Sequence, residues 1–351
     1  MTPWRSWGFH WKSGALKRPF GSSPGTNFFR NFDLSTSALQ ESGACGAFVT
    51  ADGKSVGPRK ASRSGAFSPP FRLLPPNNYI AKLGIPYIVT PHGGWGERVL
   101  KGRRSILKSV WVTPFERNLW RNARMVQAVC KSEFDQLEKL RDMAPVKQIP
   151  NGVPRSNQDP NGSGTRDIWL FLGRLAIEQK GLYILLQAYA RALARCPTLP
   201  QLVLAGPDFR GGTEALSRLA AELGISDRIE LGPVTGIEKT ALWGRTLAFF
   251  HPSRWEGMPL SILEALSHGI PCIVSPETGL AEWIENYQCG WKIDADPSQL
   301  SEAIIQLSQL TTARIRQYGV NARCASERDY SWERIGTQLK NEYASLVVDF
   351  L

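Results

Sequence analysis

From Asp167 onward the chain alternates short apolar runs with helical stretches, and few architectures accept that pattern. The runs are IWLFL, QLVLA, RIEL, LAFFH, PCIVS and GWKI, with segments such as TEALSRLAAEL and IEKTALW between them. A strand with one wet face alternates apolar and polar residues, whereas these runs are continuous, so both of their faces are covered. Helices that cover both faces of successive strands must cross over between them, which predicts an α/β chain with a doubly wound parallel sheet. In the helix after IWLFL, Leu182, Leu185, Leu186, Tyr189 and Leu193 fall on one side, the stripe that would lie on the sheet.

Upstream the same grammar is thinner. IPYIVT, at residues 85–90, reads as a buried strand emptying into the Gly-rich PHGGWG. A helix is expected through residues 105–123, interrupted or restarted at Pro114. MVQAV follows as a strand, then a helix whose start is marked by Ser132 with Asp135 three residues on, then VKQI as a strand. The chain turns at Asn151-Gly152, and PRSNQDPNGSGTR, up to Arg166, has linker composition. Residues 1–75 differ from all of this: ten Lys and Arg stand against three Asp and Glu, and 27 positions are Ser, Gly or Pro with no sustained periodicity. That composition predicts a basic region of low order. The expected division is therefore 1–75, a partial N-terminal Rossmann-like domain over 76–153, a linker over 154–166, a second Rossmann-like domain over 167–330, and a C-terminal helix over 331–351. The stripe Trp332, Ile335, Leu339, Tyr343 and Leu346 on that helix must dock, and the N-terminal domain is the expected place.

Charge narrows the class of partner. The net charge of +11 favours something anionic, but most of the excess lies in the first 75 residues and no basic motif interleaved with aromatics accompanies it. Nucleic acid is therefore not expected, whereas a basic stretch of this kind suits the anionic face of a membrane. The six cysteines are scattered singly, which fits a reduced cytoplasmic chain. MTPWRSWGFHWKSG has no apolar core, so no secretory leader is expected, and no run of about 18 apolar residues offers a membrane span.

Ligands of an open parallel sheet sit beyond the carboxyl ends of its strands, so the loops after IWLFL, QLVLA and LAFFH are where chemistry is expected. The first holds Gly173, Arg174 and Lys180, two cations near a helix start that suit a diphosphate. Solvated surface charge is the ordinary fate of both, and it stands as the competing reading. In the loop after LAFFH, Gly257 permits close backbone approach and Pro259 suits the first helical position. Glu256 lies in that loop and Glu264 on the helix beyond. A carboxylate can accept hydrogen bonds from two adjacent hydroxyls, so the pair could serve the two ends of a nucleotide sugar, with the diphosphate between them. Acidic residues near a helix start also oppose its dipole without any ligand. No third or fourth donor nearby makes either carboxylate a metal ligand.

At these residues the sequence resembles the retaining glycosyltransferases of family four, the group 1 enzymes of GT-B architecture. The resemblance rests on GRL…KGL (173–182), VLAGPD (203–208), LGPV…EKTALW (231–243), PSRWEGMPLSILEALSHGIPCIVS (252–275), YSWERI (330–335), TPHGG (90–94) and IPNGV (149–153). It implies two Rossmann-like domains facing a cleft, the N-terminal one incomplete here, and a hexose moved from a nucleotide-diphosphate sugar to a glycan or lipid-linked acceptor. Arg174 and Lys180 would hold the diphosphate, Glu264 the ribose and Glu256 the transferred sugar. The backbone of Gly257, Met258, Pro259 and Leu260 would meet sugar and phosphate, His92 would face the reacting sugar, and backbone around Val234 would meet the base. The resemblance asks for no cofactor and no metal, and it asks for neither His251 nor His268, which are expected to be structural or surface positions. A nucleotide-sugar-binding protein without transfer activity is the alternative.

Overall fold

The computed structural model describes residues 87–93, 120–140, 143–156 and 166–348, with side chains to residue 345. The basic stretch 1–75, the first residues of the IPYIVT strand, Gly94, residues 105–119 of the expected helix, the linker residues 157–165 and the Leu346 side chain lie outside the described residues.

Among the described residues, β1 (Ile88–Val89), β2 (Met125–Ala128) and β3 (Val146–Gln148) form a parallel sheet in the order β1-β2-β3. Helix α1 (Lys131–Glu138) crosses from β2 to β3, and it does not start at Ser132 as expected. Cys130 takes the extended N-cap position, Asp135 pairs with Lys131 one turn away, and the first-turn carboxylate of Glu133 ties the helix start to the chain around it. Glu133 turns its carboxylate back to accept from the Val129 amide at 2.7 Å and the Gly93 amide at 2.5 Å. That carboxylate pins the residue before the N-cap and the loop after β1 to the helix start.

The two faces of β2 feed different cores. Val126 and Ala128 pack with Tyr87, Trp120, Leu137 and Ala144, while Met125 packs with Ile149 and with Ile335 of α10 (Trp332–Val348). Trp332, Leu339 and Tyr343 flank that second cluster. Tyr343 also donates to the Gln127 side chain at 3.3 Å, and Lys147 pairs with Glu342. The last helix thus supplies one side of the first sheet. It is led there by a parallel bridge between Val153 and Ser331, with the Trp332 ring lying where a side chain on Gly152 would be.

The second sheet comprises β4 (Ile168–Leu172), β5 (Gln201–Ala205), β6 (Ile229–Gly232), β7 (Thr246–His251), β8 (Cys272–Val274) and β9 (Gly290–Lys292), all parallel, in the order β6-β5-β4-β7-β8-β9. β4 shows why the runs are continuous. Ile168, Leu170 and Leu172 enter one core with α5 (Gly236–Arg245), α6 (Leu260–Ser267), α7 (Ala281–Asn286) and α9 (Thr312–Tyr330). Trp169 and Phe171 enter the other with α3 (Leu182–Arg195), α4 (Gly212–Glu222) and α8 (Pro297–Ser308). Successive side chains point to opposite faces, and both faces are dry. Strand order reverses at β4 and β7, so the crevice that accepts ligands opens between the loops that follow these two strands.

Candidate functional site

Lys180 is delivered by a local irregularity rather than by the start of a long helix, the position expected for it. It closes the single-turn helix α2 (Ile177–Lys180), after which Gly181 turns left-handed at φ 62° and α3 begins. The turn is fastened to the loop after β7: the Arg254 amide donates to the Gln179 carbonyl at 2.9 Å, and Arg254 pairs with Glu178 at 3.0 Å. Gly181 faces the Pro252 carbonyl so closely that a Cβ there would lie 2.1 Å from its oxygen. Held in this way, the buried Lys180 ammonium meets the Glu256 carboxylate.

Beside that pair lies His251, the last residue of β7, with its Nε2 3.7 Å from Glu256 Oε2. Burial would lift the Glu256 carboxyl, but the neighbouring His251 imidazole and the Lys180 ammonium outweigh it and hold the group down at about 2. Burial pushes His251 the opposite way for a base, to about 4, helped by Lys180 and opposed by Glu256. At neutral pH Glu256 is therefore a carboxylate and His251 a neutral imidazole. His251 is fully buried and so is not a surface position.

Glu264 is held by a different lysine. Helix α6 begins at Leu260, one residue after the expected start, because Pro259 keeps an extended ψ of 124° and serves as N-cap. Glu264 then faces α5, where Lys239 Nζ lies 2.8 Å from Oε1 and 2.7 Å from Oε2. Lys239 sits inside the EKTALW motif, and its role is invisible in sequence because α5 and α6 come together only when both cover the same face of the sheet. Each of the two carboxylates is thus neutralised by its own cation, on either side of the start of α6.

The remaining predicted residues fall around this centre. Arg174 is exposed, with its guanidinium 5.1 Å from the Phe209 ring centroid, and is not part of the Lys180 cluster. Gly173 is tied back by its amide to the Ala205 carbonyl at 3.0 Å. Val234 packs half-buried against the core that contains α5 and α6. Met258 and Pro259 are buried and Leu260 is exposed. Asn151 reaches across from the first sheet: its side chain donates to the Met258 carbonyl at 3.1 Å, and its amide lies 3.4 Å from the Met258 sulfur.

His92 and Gly93 come to the same place from the first sheet, both with positive φ. Gly93 touches the Gly257 backbone, and a Cβ on Gly93 would lie 2.8 Å from the Gly257 nitrogen. Glu133, which holds the Gly93 amide, is not singled out by the sequence; its distance from PHGG in the chain conceals it. His268 is structural: it stacks on Trp243 with centroids 5.5 Å apart and its Nδ1 lies 2.8 Å from the Ser156 hydroxyl.

Two family descriptions match this chain. "Glycosyl transferases group 1" covers residues 166–309 and "Glycosyltransferase Family 4" covers 69–157, between them more than half of the sequence. A D-inositol 3-phosphate glycosyltransferase of Corynebacterium urealyticum is 32% identical over 182 residues, 50% of this chain and 42% of that one. A GDP-mannose:cellobiosyl-diphosphopolyprenol alpha-mannosyltransferase of Xanthomonas campestris is 24% identical over 74% of this chain and 68% of its own. Against the first of these the chain spans less than half of the relative's length. Among solved structures, Anabaena Alr3699/HepE in complex with UDP-glucose superposes with a TM-score of 0.61 at 19% identity, covering 74% of this chain and 72% of that one.

Proposed function

The chain belongs to the group 1, family 4 glycosyltransferases and has their GT-B fold, and we propose that it is a retaining enzyme that moves a hexose from a nucleotide-diphosphate sugar to a glycan or lipid-linked acceptor. The observation that carries this reading is the pair of carboxylates at the switch of strand order, Glu256 against Lys180 and Glu264 against Lys239, flanking the start of α6. A nucleotide sugar offers diols at both ends and two negative charges between them, and this arrangement offers acceptors for each diol and cations for the charge.

In this reading Glu264 takes the ribose hydroxyls and Glu256 the hexose hydroxyls. Lys180 and Arg174 close on the diphosphate, and backbone N–H groups at the start of α6 add their dipoles. Val234 and its neighbours line the base. The bond from the anomeric carbon to the diphosphate oxygen breaks while the bond to the acceptor oxygen forms on the same face. The acceptor proton passes to the departing diphosphate oxygen, and Lys180 and Arg174 stabilise the charge that develops there. His92 faces the transferred sugar from the first sheet. The name of the Xanthomonas relative and the UDP-glucose in the Anabaena complex support a nucleotide-sugar donor.

Neither a metal nor a cofactor has a part in this scheme, so transfer measured in excess EDTA should match the untreated rate; a loss restored by added Mg²⁺ would contradict it. The basic stretch 1–75 would bring the enzyme to the anionic cytoplasmic face of a membrane, where lipid-linked acceptors reside.

A thermal-shift screen of UDP-, GDP- and ADP-sugars tests the donor assignment. One of them should stabilise the protein, and Glu264→Ala should weaken that ligand about 10- to 100-fold, the loss of a charged hydrogen-bond acceptor. Equal affinity in wild type and Glu264→Ala would remove Glu264 from the donor site.

A further inference from the structure

His251 is an unusual residue to leave where it is. Its ring stacks with those of Phe171 of β4 and Phe249 of β7, with centroids 5.5 and 5.9 Å away and both planes inclined by 24°. It is fully buried, and neither ring nitrogen has a hydrogen-bond partner among the described residues. Burying an imidazole N–H unpaired costs free energy that a third aromatic ring in the same slot would not. The charged groups that face the ring are Lys180 from α2 and Glu256 from the loop after β7. The Glu256 Oε2 acceptor lies at 3.7 Å, a few tenths of an ångström beyond a hydrogen bond, and that same oxygen is held by the Lys180 ammonium.

This geometry describes one carboxylate with two candidate holders, of which one is engaged. An anion arriving at Lys180 competes with Glu256 for the ammonium, and a largely buried carboxylate that loses its cation needs another donor. A neutral imidazole with its proton on Nε2 supplies one after a movement of less than about 1 Å. We propose that His251 is a positioning residue that takes over the Glu256 carboxylate when an anionic ligand draws the Lys180 ammonium away, and so keeps Glu256 aimed at the bound sugar. The two stacked aromatic rings fix the plane in which the imidazole waits. This inference rests on the diphosphate reading of Lys180 given above.

The test uses protein labelled with ¹⁵N in its histidine rings, titrated with inorganic pyrophosphate and with UDP, GDP and ADP. The His251 signal is assigned by its loss in His251→Gln. Saturation should move that signal to a hydrogen-bonded position, and Lys180→Met should move it without any ligand. In turnover, His251→Phe should keep nucleoside diphosphate affinity within about twofold while kcat for its release from the sugar donor falls about tenfold or more, with His251→Gln recovering part of the loss. A ring signal unchanged at saturation, or a His251→Phe enzyme with wild-type kcat, overturns the handover while leaving the donor site intact. If none of the four probes binds the wild-type protein, the diphosphate reading fails and the handover fails with it. Should His251→Phe not fold, the wild-type titration alone decides.

Discussion

Lys180→Ala is expected to lower sugar transfer by about 10²-fold or more, the scale on which removal of a group that stabilises developing charge is felt. The same substitution strips Glu256 of its cation, in a place where that carboxylate side chain is only 18% exposed. Removing one partner of a largely buried pair costs about 3 kcal/mol of stability, so folding should suffer along with chemistry. The two losses separate in the double variant: Glu256→Gln on the Lys180→Ala background should restore stability in urea without restoring transfer. Acid adds a second discriminant. Glu256 is held at about 2, well below its unfolded value near 4.5, so its pairing stabilises the fold fully above the unfolded value and is lost only as pH falls towards 2. Without Lys180 the folded value rises and part of that contribution is lost, so the acid-unfolding midpoint of Lys180→Ala should move upward. An unchanged midpoint together with unchanged transfer would remove Lys180 from both roles.

Gly181→Ala should be strongly disruptive for a single added methyl. The position demands φ 62°, which disfavours any side chain by about 1–2 kcal/mol, and the new Cβ would sit 2.1 Å from the Pro252 carbonyl oxygen. Backbone faces backbone there, so no flexible side-chain tip can move aside. Gly211 is the built-in comparison, at φ 77° with nothing within 4 Å of an added Cβ. Gly211→Ala should therefore cost only about 1 kcal/mol, the conformational share, whereas Gly181→Ala should exceed about 3 kcal/mol and weaken nucleotide binding by displacing Lys180. Equal urea midpoints for the two variants would show that the contact with Pro252 carries no weight.

Much of this is legible in the sequence for reasons that can be named. The strands of the second sheet are readable because a strand buried on both faces needs no alternation, and IWLFL and QLVLA coincide with β4 and β5. Glu256 and Glu264 are readable because the Gly/Pro loop marks a strand end beside a helix start. What stays hidden depends on meetings between segments far apart in the chain. Lys239 meets Glu264 only because α5 and α6 cover the same face of the sheet. Glu133 grips Gly93 across 40 residues, and nothing in the spacing of either motif announces it. The start of α1 differs from expectation because Ser132 and Asp135 imitate a capping pair, while Cys130 holds the N-cap position and Glu133 ties the Val129 and Gly93 amides. His251 has no role in the family pattern, although its place at the carboxyl end of β7 marks it by position alone.

The route of α10 bears on how the chain comes into being. Met125 and Ile149 leave the ribosome early, yet Ile335, which seals them, is made only after the whole second sheet. At about 5–20 residues per second that interval is on the order of 10–40 s, during which Met125 and Ile149 lack the cover of α10. Nascent chains stalled before Trp332 should therefore recruit holdase chaperones, and chains stalled well beyond Tyr343 should release them.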